Sequence, residues 1–379
     1  GIARPLLDLF GRLALHRKTL VGGVSAAILV ASVAGLFRLD VENSFINYFR
    51  ERTRVHQELT FIDRQLGGST PLDLVYTIPA AERKPDLVMT AQTVQTLQRI
   101  QYALQRHPGV GKILSVVNFT EVAKKANGGK PLTEYELTAL YWTMEDALRE
   151  ELLGAFYSPG HHQVRFSIRI QDSIPGLNRA ALLAGIRSDL EKLGIPPQRY
   201  SLTNLFVLYQ DILRRLFRSQ ILTMGLVYGV LTLAFFGIFR SFKVALIGIA
   251  PNILSTLVVL GVMGWAGIPL DLMTITIAAI AMGIAVDDTI HYTHRYLEEL
   301  ADNAPEKAVE RSLASTGYAM VYTSLIIILG FALLAFSDFL PSVLFGLLTG
   351  LAMTVALVFD LALLPALLVR FVRQVGSGE

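Results

Sequence analysis

The chain has 379 residues, 52% apolar and 17% charged, with 34 basic against 31 acidic side chains and a net charge of +3. Soluble domains carry about 25% charged residues, so this composition excludes a disordered chain and argues against a wholly soluble one. The charge balance leaves no electrostatic footprint for a nucleic-acid partner, and the absence of cysteine removes disulfides, thiolate metal sites and cysteine nucleophiles.

The chain opens on a lead-in, PLLDLFGRLALHRK, before a first apolar run at 19–37. His16, Arg17 and Lys18 precede that run as a signal-peptide n-region would. The run is nevertheless longer than an h-region and no small-residue cleavage site follows it, so it reads as a transmembrane helix. Residues 1–38 form a cytoplasmic lead-in and first span.

Residues 39–219 have ordinary soluble composition. Strands are predicted at 73–78, 110–118, 164–171 and 199–203. VRFSIRIQ alternates with period two, as a half-buried strand does. Helices are predicted at 87–106, stopped by His107-Pro108-Gly109; at 132–154, opened by Thr133; and at 177–193, ended by Gly194. The order is β-α-β, an inserted helix, then β-α-β. It suits an α+β domain of ferredoxin-like (split βαβ) type. His161-His162 sit in a turn beside Pro159-Gly160 and fall short of the three or four ligands a metal site needs, so no metal is expected. GGSTP at 67–71 has no following helix and no Lys, so it is no phosphate loop.

Residues 220–373 hold five more apolar runs, at 221–239, 244–265, 272–292, 318–336 and 343–369, with a cytoplasmic segment at 293–316 and a tail at 374–379. Each run approaches the ~20 residues that cross a bilayer. The fold expected is a membrane α-helical bundle of six transmembrane helices, with the α+β domain between the first and second. Arg12, Arg17 and Lys18, then Arg240 and Lys243, then Arg295, Lys307 and Arg311, then Arg370 and Arg373 fall on one side if the helices alternate. The positive-inside rule makes that side cytoplasmic and the large domain extracytoplasmic. Arg214, Arg215 and Arg218 belong to that domain, which translocates regardless of charge.

Charged residues inside spans mark function by default. Asp287 and Asp288 lie in AAIAMGIAVDDTIHYTHRY. If Arg295 marks the interface, Asp287 lies roughly 12 Å inside it at 1.5 Å per residue. A helix C-terminus disfavours anions, which counts against reading the pair as a solvated helix end. Asn252, Thr323, Ser324 and Asp360 fall at similar depth and form a supporting polar layer without Lys or Arg. Burial favours the neutral carboxylic acid, and a second acid adds to this, so the layer suits proton uptake and release. His291, one turn from Asp287, reads either as a proton relay or as an interfacial histidine. Asp360 alone reads more readily as a structural hydrogen bond to a neighbouring helix. Gly283, one turn before Asp287, leaves room for a packed helix. No nucleophile–base set or nucleotide fingerprint suggests an enzyme.

Along nearly its whole length the chain resembles the resistance–nodulation–division (RND) superfamily, and within it MMPL-like and hopanoid-transporter-like exporters. GIAVDDTIHYTHRYLEE is similar to that family's G-x-x-x-D-D helix. The stretch 219–271 is similar to its second and third spans, DLALLPALL to the end of its last, and 42–78 to the start of its external domain. The resemblance implies a periplasmic porter domain and a multi-pass protein of a bacterial-type inner membrane. It implies proton-driven export of a hydrophobic or lipid-like substrate, with Asp287 and Asp288 relaying protons as coupling ion and no other cofactor. It further implies a second six-helix half, in the same polypeptide or by homodimerisation. The lead-in then reads as the linker before a C-terminal half. Two related plans share the six-helix half or the G-x-x-x-D-D pattern: a Sec-translocon accessory subunit and a sterol-sensing-type regulatory module.

Overall fold

A computed structural model describes residues 3–39, 46–174, 176–270 and 274–372. Gly1, the start of the fourth apolar run at 272, Arg373 and the expected tail fall outside these residues. In chain order the elements are α1 (Ala3–His16), α2 (Lys18–Leu36), α3 (Arg54–Gln65), β1 (Thr70–Thr77), α4 (Ala91–Gln105), β2 (Val110–Leu114), α5 (Val116–Ala126), α6 (Glu134–Thr143), α7 (Asp146–Arg149), β3 (Tyr157–Ser158), β4 (Gln163–Ile170), α8 (Arg179–Lys192), β5 (Tyr200–Thr203), α9 (Leu205–Phe239), α10 (Phe242–Ala266), α11 (Thr274–Asp302), α12 (Pro305–Ser315), α13 (Gly317–Ala332) and α14 (Leu340–Phe371). They divide into two compact units: Gly1–Asn43 with Leu213–Glu379, and Ser44–Ile212.

The second of these is the sheet unit. Its strands run antiparallel in the order β2-β4-β1-β5, with β3 paired to β4. The alternation in β4 buries Val164, Phe166, Ile168 and Ile170 completely, because successive side chains point to opposite faces. They pack against Leu97, Ile100 and Leu104 of α4 and Leu182, Leu183, Ile186 and Leu190 of α8. Each such buried side chain contributes roughly 1.5–3 kcal/mol.

The buried acids described in this unit, Asp63, Asp73 and Asp172, each have a partner. Asp63, wholly buried at the end of α3, accepts from the Ser69 N–H at 2.8 Å, the Ser69 hydroxyl at 2.6 Å, and the Asp172 and Ser173 N–H groups at 2.9 and 2.8 Å. Burial opposes its charge, but these hydrogen bonds outweigh that cost and hold its carboxyl below the usual carboxylate range. Asp172 and Arg179 form a buried ion pair. Asp73 meets Arg165 at 2.8 Å and the Asn204 amide at 2.9 Å.

The other unit is a helical bundle. Five helices among the described residues are long and apolar enough to cross a membrane: Lys18–Leu36, Arg218–Phe239 within α9, Phe242–Ala266, Gly317–Phe336 and Leu340–Phe371. α2 and α10 cross in backbone contact through small residues. A Cβ on Gly261 would sit 2.5 Å from the Ser32 Cα, and one on Gly35 or Gly264 would collide with the facing glycine backbone. Trp265 locks the crossing by donating its indole N–H to the Ala31 carbonyl at 2.8 Å. α1 buries Ala3, Leu7, Gly11 and Ala14, the helical spacing of a single stripe. Leu7 fills the space that Gly317 leaves open.

Several expectations change. The helix predicted over 132–154 is α6, a break at Met144-Glu145, α7 and a π-helical turn at Glu150–Gly154. Thr143 bonds back to the Ala139 carbonyl at 2.8 Å, a side-chain bond that competes with the backbone at the helix end. The strand predicted over 110–118 stops at Leu114, because Ser115 and Asn118 form a capping box that opens α5. The segment at 293–316 is the rest of α11 followed by α12. The lead-in is itself a packed helix, and His161-His162 lie in the β3–β4 hairpin turn.

Candidate functional site

Adjacent residues on a helix are turned about 100° from each other. α11 therefore cannot present Asp287, Asp288 and Thr289 to one neighbour. Asp287 and His291 lie on the unit's surface, their side chains 76% and 70% exposed, with Asp287 Oδ1 3.5 Å from His291 Nε2. Gly283, a turn earlier on the same stripe, is also exposed, and a Cβ there would meet nothing within 4 Å. The stripe has no packed neighbour among the described residues.

Asp288 and Thr289 turn inward. The Ser324 hydroxyl of α13 donates to Asp288 Oδ2 at 3.3 Å. The Thr289 hydroxyl donates to Asp360 Oδ1 of α14 at 2.9 Å and accepts from the Asn252 amide of α10 at 3.0 Å. Asp360, Thr289 and Asn252 are each 1% exposed or less. Tyr228 of α9 extends the layer, donating to the Asn252 carbonyl at 3.2 Å and sharing a hydrogen bond with the Thr256 hydroxyl at 2.7 Å. Five helices thus meet in one polar layer. Among the described residues neither Asp288 nor Asp360 has a Lys or Arg partner; their hydrogen bonds come from hydroxyls alone. Asn252 Oδ1, the Tyr292 hydroxyl and the Thr293 hydroxyl are buried with no hydrogen-bond partner. Buried polar atoms of this kind are costly unless water or a proton reaches them.

The predicted set therefore divides. Asp288, Ser324, Asn252 and Asp360 belong to the layer. Asp287, His291 and Gly283 form the outer stripe. Thr323 bonds to its own helix, at Ala319 O, 2.8 Å away, and joins neither. Sequence reasoning does not find Thr289, the residue that links three helices; its one signal is its place directly after the acid pair. Nor does it find Tyr228. No group of three His, Cys, Asp or Glu side chains among the described residues could hold a metal ion.

The bundle and its acid layer define a multi-pass membrane protein. A model of the MMPL family matches residues 72–377, and the chain belongs to the MMPL family. Its members are transporters. A protein of Methanocaldococcus jannaschii, named as a candidate membrane protein, is 30% identical over 183 residues. That match covers 48% of this chain and 45% of the relative, so the chain spans about half the length of the curated relative it matches.

Proposed function

We propose that the chain is one six-helix half of an RND-type exporter that moves a hydrophobic or amphiphilic, lipid-like molecule, driven by the proton-motive force across an inner membrane. In this reading α11 is the fourth span, both termini are cytoplasmic, and the sheet unit is an extracytoplasmic porter domain. The strand order β2-β4-β1-β5, with α4 and α8 as the connecting helices, is what a ferredoxin-like split βαβ requires. The observation that carries the reading is the layer of two acids, Asp288 and Asp360, held by hydroxyls without a basic partner.

Such acids can gain and lose a proton without stranding a buried cation. A hydroxyl can donate or accept. Ser324 donates to the Asp288 carboxylate; once Asp288 is protonated, its O–H donates to Ser324 instead. The same reversal applies between Asp360 and Thr289, whose own O–H then turns to the Ala285 carbonyl, 3.3 Å away, while it still accepts from the Asn252 amide. Protonation thus changes how α11 is held against α10, α13 and α14, the two-state element coupling needs. A proton moving down 100 mV releases ~2.3 kcal/mol, enough to shift a two-state equilibrium by nearly two decades. The outward stripe of Gly283, Asp287 and His291 is the face we assign to a second six-helix half, so that Asp287 and His291 join the relay on assembly.

Transport of a fluorescent amphiphile in proteoliposomes under an imposed pH gradient tests this reading. Gradient-dependent movement that a protonophore stops is the expected result. Movement indifferent to the gradient would refute proton coupling.

A further inference from the structure

The insert between β2 and β4 carries a feature the transport reading leaves unused. None of the ten residues of α6 is fully buried, although its sequence is EYELTALYWT. Trp142 and Tyr135 are 66% and 69% exposed. Polar bonds at one end anchor the helix: Glu134 accepts from the Ala91 N–H at 3.0 Å and meets Lys84 at 3.4 Å, and the Thr138 hydroxyl accepts from the Val88 N–H at 3.1 Å.

Between α6 and the segment 78–93 lies a cavity of about 420 Å³. Tyr141, Trp142 and Tyr157 wall it, and charges of both signs (Glu82, Arg83, Lys84, Asp86) stand at its rim. Val88, Met89, Tyr141 and Tyr157 also line a narrower chamber of about 30 Å³, closed by Phe119, Leu137 and Leu153 and free of charged side chains. Leu153 comes from the π-helical turn, an irregularity frequent at functional sites. The rings are fixed in place. Tyr141 stands edge-on to Trp142 at 5.2 Å and to Tyr157 at 6.1 Å. The Arg149 guanidinium lies over both Tyr141 and Trp142. Burial and the neighbouring Tyr141 push the Tyr157 hydroxyl up to about 12, so it stays neutral and donates to the Val88 carbonyl at 3.0 Å.

A polar mouth over aromatic walls and a narrow, uncharged end matches one ligand shape. We infer that this pocket binds a single-chain amphiphile, its acyl tail between Tyr141, Trp142 and Tyr157 and its head group at the Glu82–Asp86 rim. The narrow chamber, lined mostly by apolar side chains and by none that is charged, takes the chain end, since each buried methylene contributes about 0.8 kcal/mol. The inference rests on the exporter reading and names where its cargo is held.

Trp142 is one of two tryptophans, so the full chain carrying Trp265→Phe reports on the pocket alone. In nanodiscs, titration with a dibrominated stearic acid is expected to quench Trp142 saturably. Plain stearic acid should compete. Val88→Phe, which fills the space between cavity and chamber, should weaken binding by at least tenfold, and Tyr141→Leu, which keeps the wall apolar but removes a ring, should weaken it less. A thermal melt matching the parent certifies each variant as folded. Quenching that rises linearly and equally in the parent and both variants means partition into the bilayer and overturns the pocket. Gradient-driven export without saturable quenching would sink the pocket and leave the exporter standing. Saturable quenching without export would do the reverse.

Discussion

The two units treat buried acids in opposite ways. In the sheet unit Asp63 is surrounded by backbone N–H groups and a hydroxyl, Asp172 by Arg179, and Asp73 by Arg165 and Asn204. In the bundle the half-buried Asp288 and the buried Asp360 have only hydroxyl donors among the described residues. Fixed N–H donors and guanidinium groups stabilise one protonation state; rotatable hydroxyls serve both. The first arrangement builds a rigid fold. The second is the arrangement that the proposed proton coupling requires.

The sharpest way to break this comparison is to remove one acid from each unit. Asp63→Asn turns an amide N–H toward backbone N–H donors. It should destabilise the sheet unit by ~1–3 kcal/mol, read by denaturant unfolding of the full chain. Asp288→Asn keeps a group that bonds Ser324 in either sense, so its unfolding midpoint should stay near the parent's while coupled transport is lost. Equal destabilisation by the two would erase the distinction. Next in size is the α2–α10 crossing. Gly264→Leu forces apart backbones that now touch, and overpacking of this kind costs about 1–3 kcal/mol; thermal melting in detergent reads it, and an unchanged melt would contradict the close crossing.

A smaller effect concerns pH. The Asp63 carboxyl lies below its unfolded value of about 3.9. Its stabilisation is therefore fully present above that value and is lost as pH falls through the lower folded one. Below pH 4 the parent's sheet unit should lose stability faster than the Asp63→Asn variant, by unfolding monitored across pH. Parallel curves would remove Asp63 as the cause. The smallest effect expected is that of Thr323→Val: its hydroxyl bonds only to its own helix, so transport and stability should both stay close to the parent's.

Much of the fold is legible in the amino-acid sequence. Period two at 164–171 marks β4, and apolar run length marks the five helices long and apolar enough to cross a membrane. Helix phase is not legible. Adjacent acids differ by about 100° in direction, and only the packing of α11 shows that Asp288 faces Ser324 while Asp287 faces out. Thr289 escapes sequence reasoning because a lone threonine in an apolar helix has no signature until Asp360 and Asn252 lie beside it. α5 escapes it because its apolar start, VVNF, reads as strand, and only Ser115 with Asn118 says helix. α1 carries a readable stripe at 3, 7, 11 and 14, which the resemblance to an interdomain linker obscures.

In the proposed function the hydroxyl-held acids carry protons. Proton flux into proteoliposomes under an imposed membrane potential tests it most directly, with the parent, Asp288→Asn, Asp360→Asn and Asp63→Asn compared at equal reconstitution. Flux is expected in the parent and in folded Asp63→Asn, and none in Asp288→Asn or Asp360→Asn. Parental flux in both bundle variants would contradict it.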